Sequence, residues 1–165
     1  MGNEKLIQCP GCGVILPSMG MPPDPRFNAS GECWVLYMEL SAFMLGLADN
    51  SFPHQYVVDA FAAQHAGPSV KPINTLFALV GLHLAVEKSF TGRQVQRVHM
   101  LMAARGREWP RLTPPSVPGA VSIRDVLQAE ATEDRMAAIK NWGKSVWDSW
   151  VAERQRVMDI VKEVS

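Results

Sequence analysis

The sequence is poor in cysteine and tyrosine, and neither charge sign is in surplus. Across 165 residues there are three cysteines, and 16 Lys and Arg balance 16 Asp and Glu. Three cysteines, few and odd in number, make a poor disulfide framework. A formal net charge of zero removes the basic excess with which nucleic-acid binders engage phosphates. Basic residues gather only between Arg93 and Arg111, a stretch that fits the solvated face of a helix and its exit, so nucleic acid is not the expected partner. No apolar run approaches the roughly 18 residues of a membrane span. Met1 to Gln8 is polar and mixed in charge, unlike a secretory signal, and Leu6 stands where a myristoylation motif requires Ser or Thr. The expected compartment is the cytoplasm. HExxH, a phosphate-cradling glycine loop and a conspicuous pair of carboxylates are also missing.

What is present is 47% hydrophobic residues, enough for one substantial core but thin for two. The expectation is a single all-α, multi-helix domain over residues 1–165, with an irregular N-terminal arm at 1–31 packed on helices at 32–165. The arm carries Pro17, Pro22, Pro23 and Pro25 with Gly20 and Gly31, a density that excludes a long helix or central strand. Apolar periodicity then predicts a helix over 32–48, and a second from a cap at Asn50 or Ser51 to about His65. The short break between them makes an antiparallel hairpin. A third helix is predicted over Pro72–Lys88 and is apolar almost all round, as a central helix would be. A fourth runs from Arg93, capped by Thr91, to about Arg107. WPRLTPPSVPG at 109–119 reads as an extended crossing anchored by Trp109 and Leu112. Ser122 caps a short helix to Glu130, with Asp125 as the capping-box acid. The last helix starts near Thr132 and is read as continuing to Val161. On it Trp142 and Trp150 share a face while Trp147 points elsewhere.

Cys9 and Cys12 form a Cys-x-x-Cys turn, CPGCG at 9–13. Two thiolates at this spacing suit zinc, and amide N–H groups in such a turn steady the sulfurs. Cys33 is the obvious third ligand. For the fourth, the helical hairpin decides: Cys33 opens the first helix, and the antiparallel return of the second brings His65 beside it. His54 falls at the opposite end, roughly 16–20 Å away at 1.5 Å per residue. The expected metal ligands are therefore Cys9, Cys12, Cys33 and His65, around Zn2+. Other readings stand beside this one. The CPGC turn resembles a thioredoxin-type redox turn, although the prolines and glycines beyond it deny the helix that such a turn opens. Cys33 would also suit a buried core position, and His65 the C-terminal end of a helix dipole. Along the second helix Gln55 and Asp59 pair at i,i+4, either as surface hydrogen bonding or as a polar cleft in which Asp59 orients a histidine. His83 reads as a core histidine and His99 as solvent-facing. Convergence of His54, His83 and His99 would instead make a catalytic metal site.

Five segments, CPGCG at 9–13, Cys33-Trp34 with Tyr37 and Glu39, HQYVVDAFAAQHAG at 54–67, WPRLTPP at 109–115 and NWGKSVWDSW at 141–150, together resemble the bacterial family DUF5946. The resemblance runs over nearly the whole chain. Its most specific element carries His54, Gln55, Asp59, Gln64 and His65. Two departures stand out: His65-Ala66-Gly67 where members often read HPG, and Glu153 and Arg154 where they tend to carry histidines. The resemblance implies one unit and no established activity. The function expected from these readings is a zinc-stabilised helical module that binds a protein partner or a small ligand. The alternative is a metal-dependent hydrolase or transferase using a histidine cluster.

Overall fold

The computed structural model describes residues 2–165. Seven helices and one two-stranded sheet follow in chain order. They are β1 (Leu6–Gln8), β2 (Ile15–Pro17), α1 (Gly31–Gly46), α2 (His54–Gln64), α3 (Pro72–Lys88), α4 (Gly92–Ala104), α5 (Ile123–Gln128), α6 (Thr132–Ser149) and α7 (Arg154–Val164). Among these, no helix is long and apolar enough to cross a membrane.

The helical class expected from periodicity is what forms, and α3 has the predicted bounds. Four local expectations need correction. The arm is not wholly irregular: β1 and β2 pair antiparallel, Leu6 opposite Pro17 and Gln8 opposite Ile15. The hairpin fits because its prolines stand outside the central ladder, Pro17 being the last strand residue and Pro10 lying in the turn. Helix α2 starts at His54 with no side-chain cap, because the N-cap position falls on Pro53, which has no side-chain acceptor, while the Ser51 hydroxyl donates to Asp49 Oδ1 at 2.7 Å. The last helix is two helices. Chain direction changes at 150–153, where the Trp150 amide bonds back to Trp147 and the Trp150 indole donates to Ala63 O at 3.2 Å. That break lets α7 bury Val157, Ile160, Val161 and Val164 against α3 and α4. Helix α4 also stops short of Arg107, as Gly106 turns left-handed at φ 62°.

Two predicted caps form. Thr91 and Gln94 make a reciprocal capping box on α4, and Asp125 Oδ2 accepts from the Ser122 amide at 2.8 Å on α5.

Helix α6 lies against both α2 and α3, and this decides the fate of its tryptophans. Trp142 and Trp150 face α2, bonding Gln64 Oε1 and Ala63 O, while Trp147 faces α3 and donates to Glu87 Oε1. All three are buried, so none offers a partner surface. Gln64 also donates to Pro118 O and Val121 O, pinning the proline-rich crossing to α2. Leu112 is buried at its start, and Trp109 meets Phe77 edge-on at 5.8 Å.

Helices α2 and α3 approach closely because residue 81 is glycine. A Cβ there would overlap Asp59 Oδ2. Asp59 is buried, and its carboxyl is pushed well above the usual range by desolvation, against which the hydrogen bond from Gln55 Nε2 (3.0 Å) works only in part. The native chain thus holds a proton that the unfolded chain releases near pH 3.8, so stability falls as pH rises above that value. Asp59→Asn removes this loss while keeping the acceptor for Gln55. Thermal unfolding should show the variant more stable than wild type at pH 7, with the gap closing as pH approaches 3.8. A variant less stable at pH 7 would mean that the carboxylate is paired, not stranded.

Candidate metal centre

The turn at residues 9–13 is a hairpin tip built around sulfur. The Cys9 amide bonds Val14 O at 2.8 Å and the Gly13 amide bonds Cys9 O at 3.0 Å, closing a loop that Gly13 completes at φ 79°. Residue 11 must also be small, since a Cβ there would strike Asn28 O and the His65 ring. Ser30 caps α1 by accepting from the Cys33 amide at 3.1 Å, which fixes Cys33 in the first helical turn. The Ser30 amide in turn points at Cys9 Sγ, 3.5 Å away, an N–H aimed at sulfur of the kind that steadies a thiolate.

His65 ends α2, as the hairpin argument requires. Its Nδ1 lies 2.7 Å from Phe61 O. A carbonyl only accepts, so Nδ1 carries a proton and Nε2 is the ring nitrogen turned to the sulfurs; a metal displacing the Nε2 proton would find its lone pair aimed there. Cys33 Sγ is 3.4 Å from that Nε2 and 3.9 Å from Cys12 Sγ. The ligand atoms of Cys9, Cys12, Cys33 and His65 all lie within 4.8 Å of one another. Around a tetrahedral ion at thiolate and imidazole bond lengths, neighbouring donors sit about 3.5–3.8 Å apart, so a small contraction would close the shell. Cys9, Cys33 and His65 are buried; Cys12 is half-buried at the turn. All three cysteines are free thiols.

The electrostatics also favour a cation. Hydrogen bonds from Cys12 and then Cys33 hold the Cys9 thiol far below its ordinary range, so negative charge is stabilised there. Cys33 is pushed far up by hydrogen bonding with Cys12 and then Cys9 and by burial, because another thiolate beside them is repelled. For His65, burial opposes a charged ring, but the sulfurs of Cys12 and Cys9 together outweigh it and carry the imidazole up to about 9. Cys9, Cys33 and His65 are thus held off their ordinary titration, and a divalent ion bound among them would relieve all three at once.

The site joins three parts of the chain, namely the hairpin tip, the start of α1 and the end of α2. Around it the arm has further ties. Glu32 Oε1 accepts from the Met19 amide at 2.9 Å, Asn28 N donates to His65 O at 2.8 Å, and Arg124 Nη1 donates to Ile15 O at 2.8 Å. Phe61, one turn before His65, stacks its ring 4.0 Å from the imidazole and contacts Phe27 and Tyr37. The imidazole plane is thereby fixed on both sides, by a hydrogen bond and by an aromatic wall.

The other sequence candidates do not join this group. Among the described residues, Cys9, Cys12, Cys33 and His65 are the only cluster of three or more His, Cys, Asp or Glu able to hold an ion. His83 is a core residue whose Nδ1 lies 3.0 Å from Glu87 Oε2. His99 is not solvent-facing as expected: its Nε2 donates to Phe77 O at 2.7 Å and its ring stacks on Phe77. His54 meets Phe52 edge-on, far from the sulfurs in the chain path. Asp59 pairs with Gln55 and orients no histidine. The contribution of Phe61 O, an i−4 backbone acceptor, leaves no side-chain signature in the sequence.

No curated protein and no solved structure matches the chain. A family model does match, that of the family of unknown function DUF5946, over residues 7–151. The matched span contains the hairpin except Leu6, all four residues of the Cys3His group and helices α1 to α6, and the chain belongs to that family.

Proposed function

We propose that Cys9, Cys12, Cys33 and His65 hold one Zn2+ in a closed structural site, and that the domain acts by binding a small ligand or protein partner. The observation carrying this reading is the His65 ring, buried, its Nδ1 on Phe61 O and its Nε2 turned to the sulfurs. Three soft thiolates and one neutral imidazole in tetrahedral reach favour zinc over harder divalent ions. Such a shell has four protein ligands and no open position, and its electron-rich sulfurs weaken Lewis acidity. It holds chain segments together better than it activates water. Free thiols beside one another also suit a reducing compartment, which supports a cytoplasmic location. The hydrolase or transferase alternative needs a histidine cluster, and His54, His83 and His99 do not supply one among the described residues.

The test is a pair of histidine variants. His65→Ala is expected to reduce zinc occupancy severalfold in protein purified without added metal. His54→Ala is expected to leave one zinc per chain. Metal analysis by mass spectrometry reads both. Equal occupancy in the two variants, or loss only in His54→Ala, would reject the assignment.

A further inference from the structure

A second site lies on the other end of the helical hairpin, where α2, α3, α4 and α6 leave a cavity of about 430 Å³. Its inner wall is apolar, from Ala85, Val86, Phe90, Met136 and Ile139. Lys140 and Lys144 stand at its rim, and they are the only charged residues lining it. Size and wall suit a small organic ligand, since ligand pockets run from about 300 to 1,000 Å³ and are mostly apolar with a few polar groups.

The charge arrangement is not explained by stability. Lys140 and Lys144 are like charges at i,i+4, a mildly unfavourable pair on a helix. Asp148 pairs with Lys144 at 2.7 Å, whereas Lys140 has no ion pair among the described residues. The same rim holds the N-terminus of α4. In its first turn Arg93 N bonds Ser51 O, Gln94 N bonds Thr91 Oγ1 and Val95 N bonds Thr91 O. Gly92, the first residue of α4, lines the cavity, and its amide makes no hydrogen bond within the chain among the described residues. The positive end of a thirteen-residue helix therefore adds to the two ammonium groups.

The cavity is also held open by close packing beside it. Gly143 lets the Tyr56 ring lie on α6, where its hydroxyl donates to Lys140 O at 2.8 Å. Gly92 lets the Phe52 carbonyl touch α4; a Cβ at either position would overlap those groups. Ser89, on the rim, and Phe52, next to it, hold positive φ angles of 56° and 57°.

We propose that this cavity binds a small amphipathic anion, a carboxylate or phosphate on an apolar body, with the anionic group between Lys140, Lys144 and the Gly92 amide. The proposal rests on the reading that the domain acts through binding, and it names the ligand chemistry.

The experiment uses the full metal-containing chain and three eight-carbon probes below their micelle concentrations: octanoate, octyl phosphate and uncharged 1-octanol. Calorimetry gives affinity and amide NMR shifts give location. At least one of the two anions should bind one per chain, about tenfold or more tighter than octanol, the difference a charge-assisted contact supplies. Shifts should centre on Gly92 and Lys140. Lys140→Gln with Lys144→Gln should bring that anion down to the octanol level, and Ala85→Trp should fill the cavity and abolish binding. Equal binding of anion and alcohol, no binding of either anion, or shifts elsewhere in the wild-type protein would overturn it. Zinc content measured on the same samples separates this outcome from failure of the metal assignment.

Discussion

Cys9→Ser is expected to release the metal and melt the arm while leaving the helices folded. A serine oxygen is shorter and harder than a thiolate and holds zinc poorly at neutral pH. The arm has little else of its own. From Gly2 to Asn28 its buried hydrophobics are Cys9 and Val14, and its strands are three residues each, too small for an independent hairpin. The tie through Asn28 is a backbone pair, and those through Glu32 and Arg124 join a side chain to the backbone; such bonds are worth about 1 kcal/mol each, somewhat more where a charge takes part. Structural zinc contributes about 10–16 kcal/mol of apparent binding free energy in small zinc domains, so zinc held as proposed would dominate the arm's stability. Hydrogen exchange should therefore show Leu6–Pro17 losing protection on Cys9→Ser or on chelation, with α3 retaining it. Unchanged protection in the arm after complete metal removal would show that packing alone holds it.

The second large effect is expected at Trp142. Its side chain is fully buried between α2 and α6, and its Nε1 donates to Gln64 Oε1 at 2.9 Å. Trp142→Ala removes a large apolar group and opens a cavity, a loss of about 3–5 kcal/mol. It also strands the Gln64 carbonyl, adding about 1–3 kcal/mol. Against a typical total of about 5–15 kcal/mol, this brings the domain near its unfolding threshold. Trp142→Phe keeps most of the volume and loses the donor, so it should cost less. Urea midpoints should rank wild type, Trp142→Phe and Trp142→Ala in falling order. If Phe equals wild type, the hydrogen bond from Trp142 to Gln64 Oε1 contributes nothing measurable.

Much of the Cys3His grouping was legible because its logic is local. CPGCG marks its own turn, and the register of Cys33 and His65 follows from the length of two helices and the sense of one hairpin. Helix caps at Thr91 and Ser122 are equally local signals. What escaped depends on contacts distant in sequence. No glycine or proline marks the break between α6 and α7; it comes from Trp150 reaching Ala63 O and from the apolar face of α7 seeking α3. Gly81 looks like a weak point in a helix until Asp59 is seen against it, and Gly143 likewise until Tyr56 is placed. The cavity by Lys140 draws on four helices and has no motif at all. His99, polar on a basic helix, reads as exposed because nothing nearby in sequence reveals the Phe77 carbonyl that takes its proton.

The central claim is a closed Cys3His shell around zinc, and X-ray absorption at the zinc edge tests it most directly. The protein would be expressed and purified without added metal, under reducing conditions. The expected spectrum fits three sulfur scatterers at about 2.3 Å and one imidazole nitrogen at about 2.0 Å. In His65→Ala the nitrogen shell and its outer imidazole scattering should disappear, while His54→Ala should match wild type. A wild-type shell with two sulfurs, or with a water oxygen in the fourth position, would contradict the closed structural site and return the metal to catalysis.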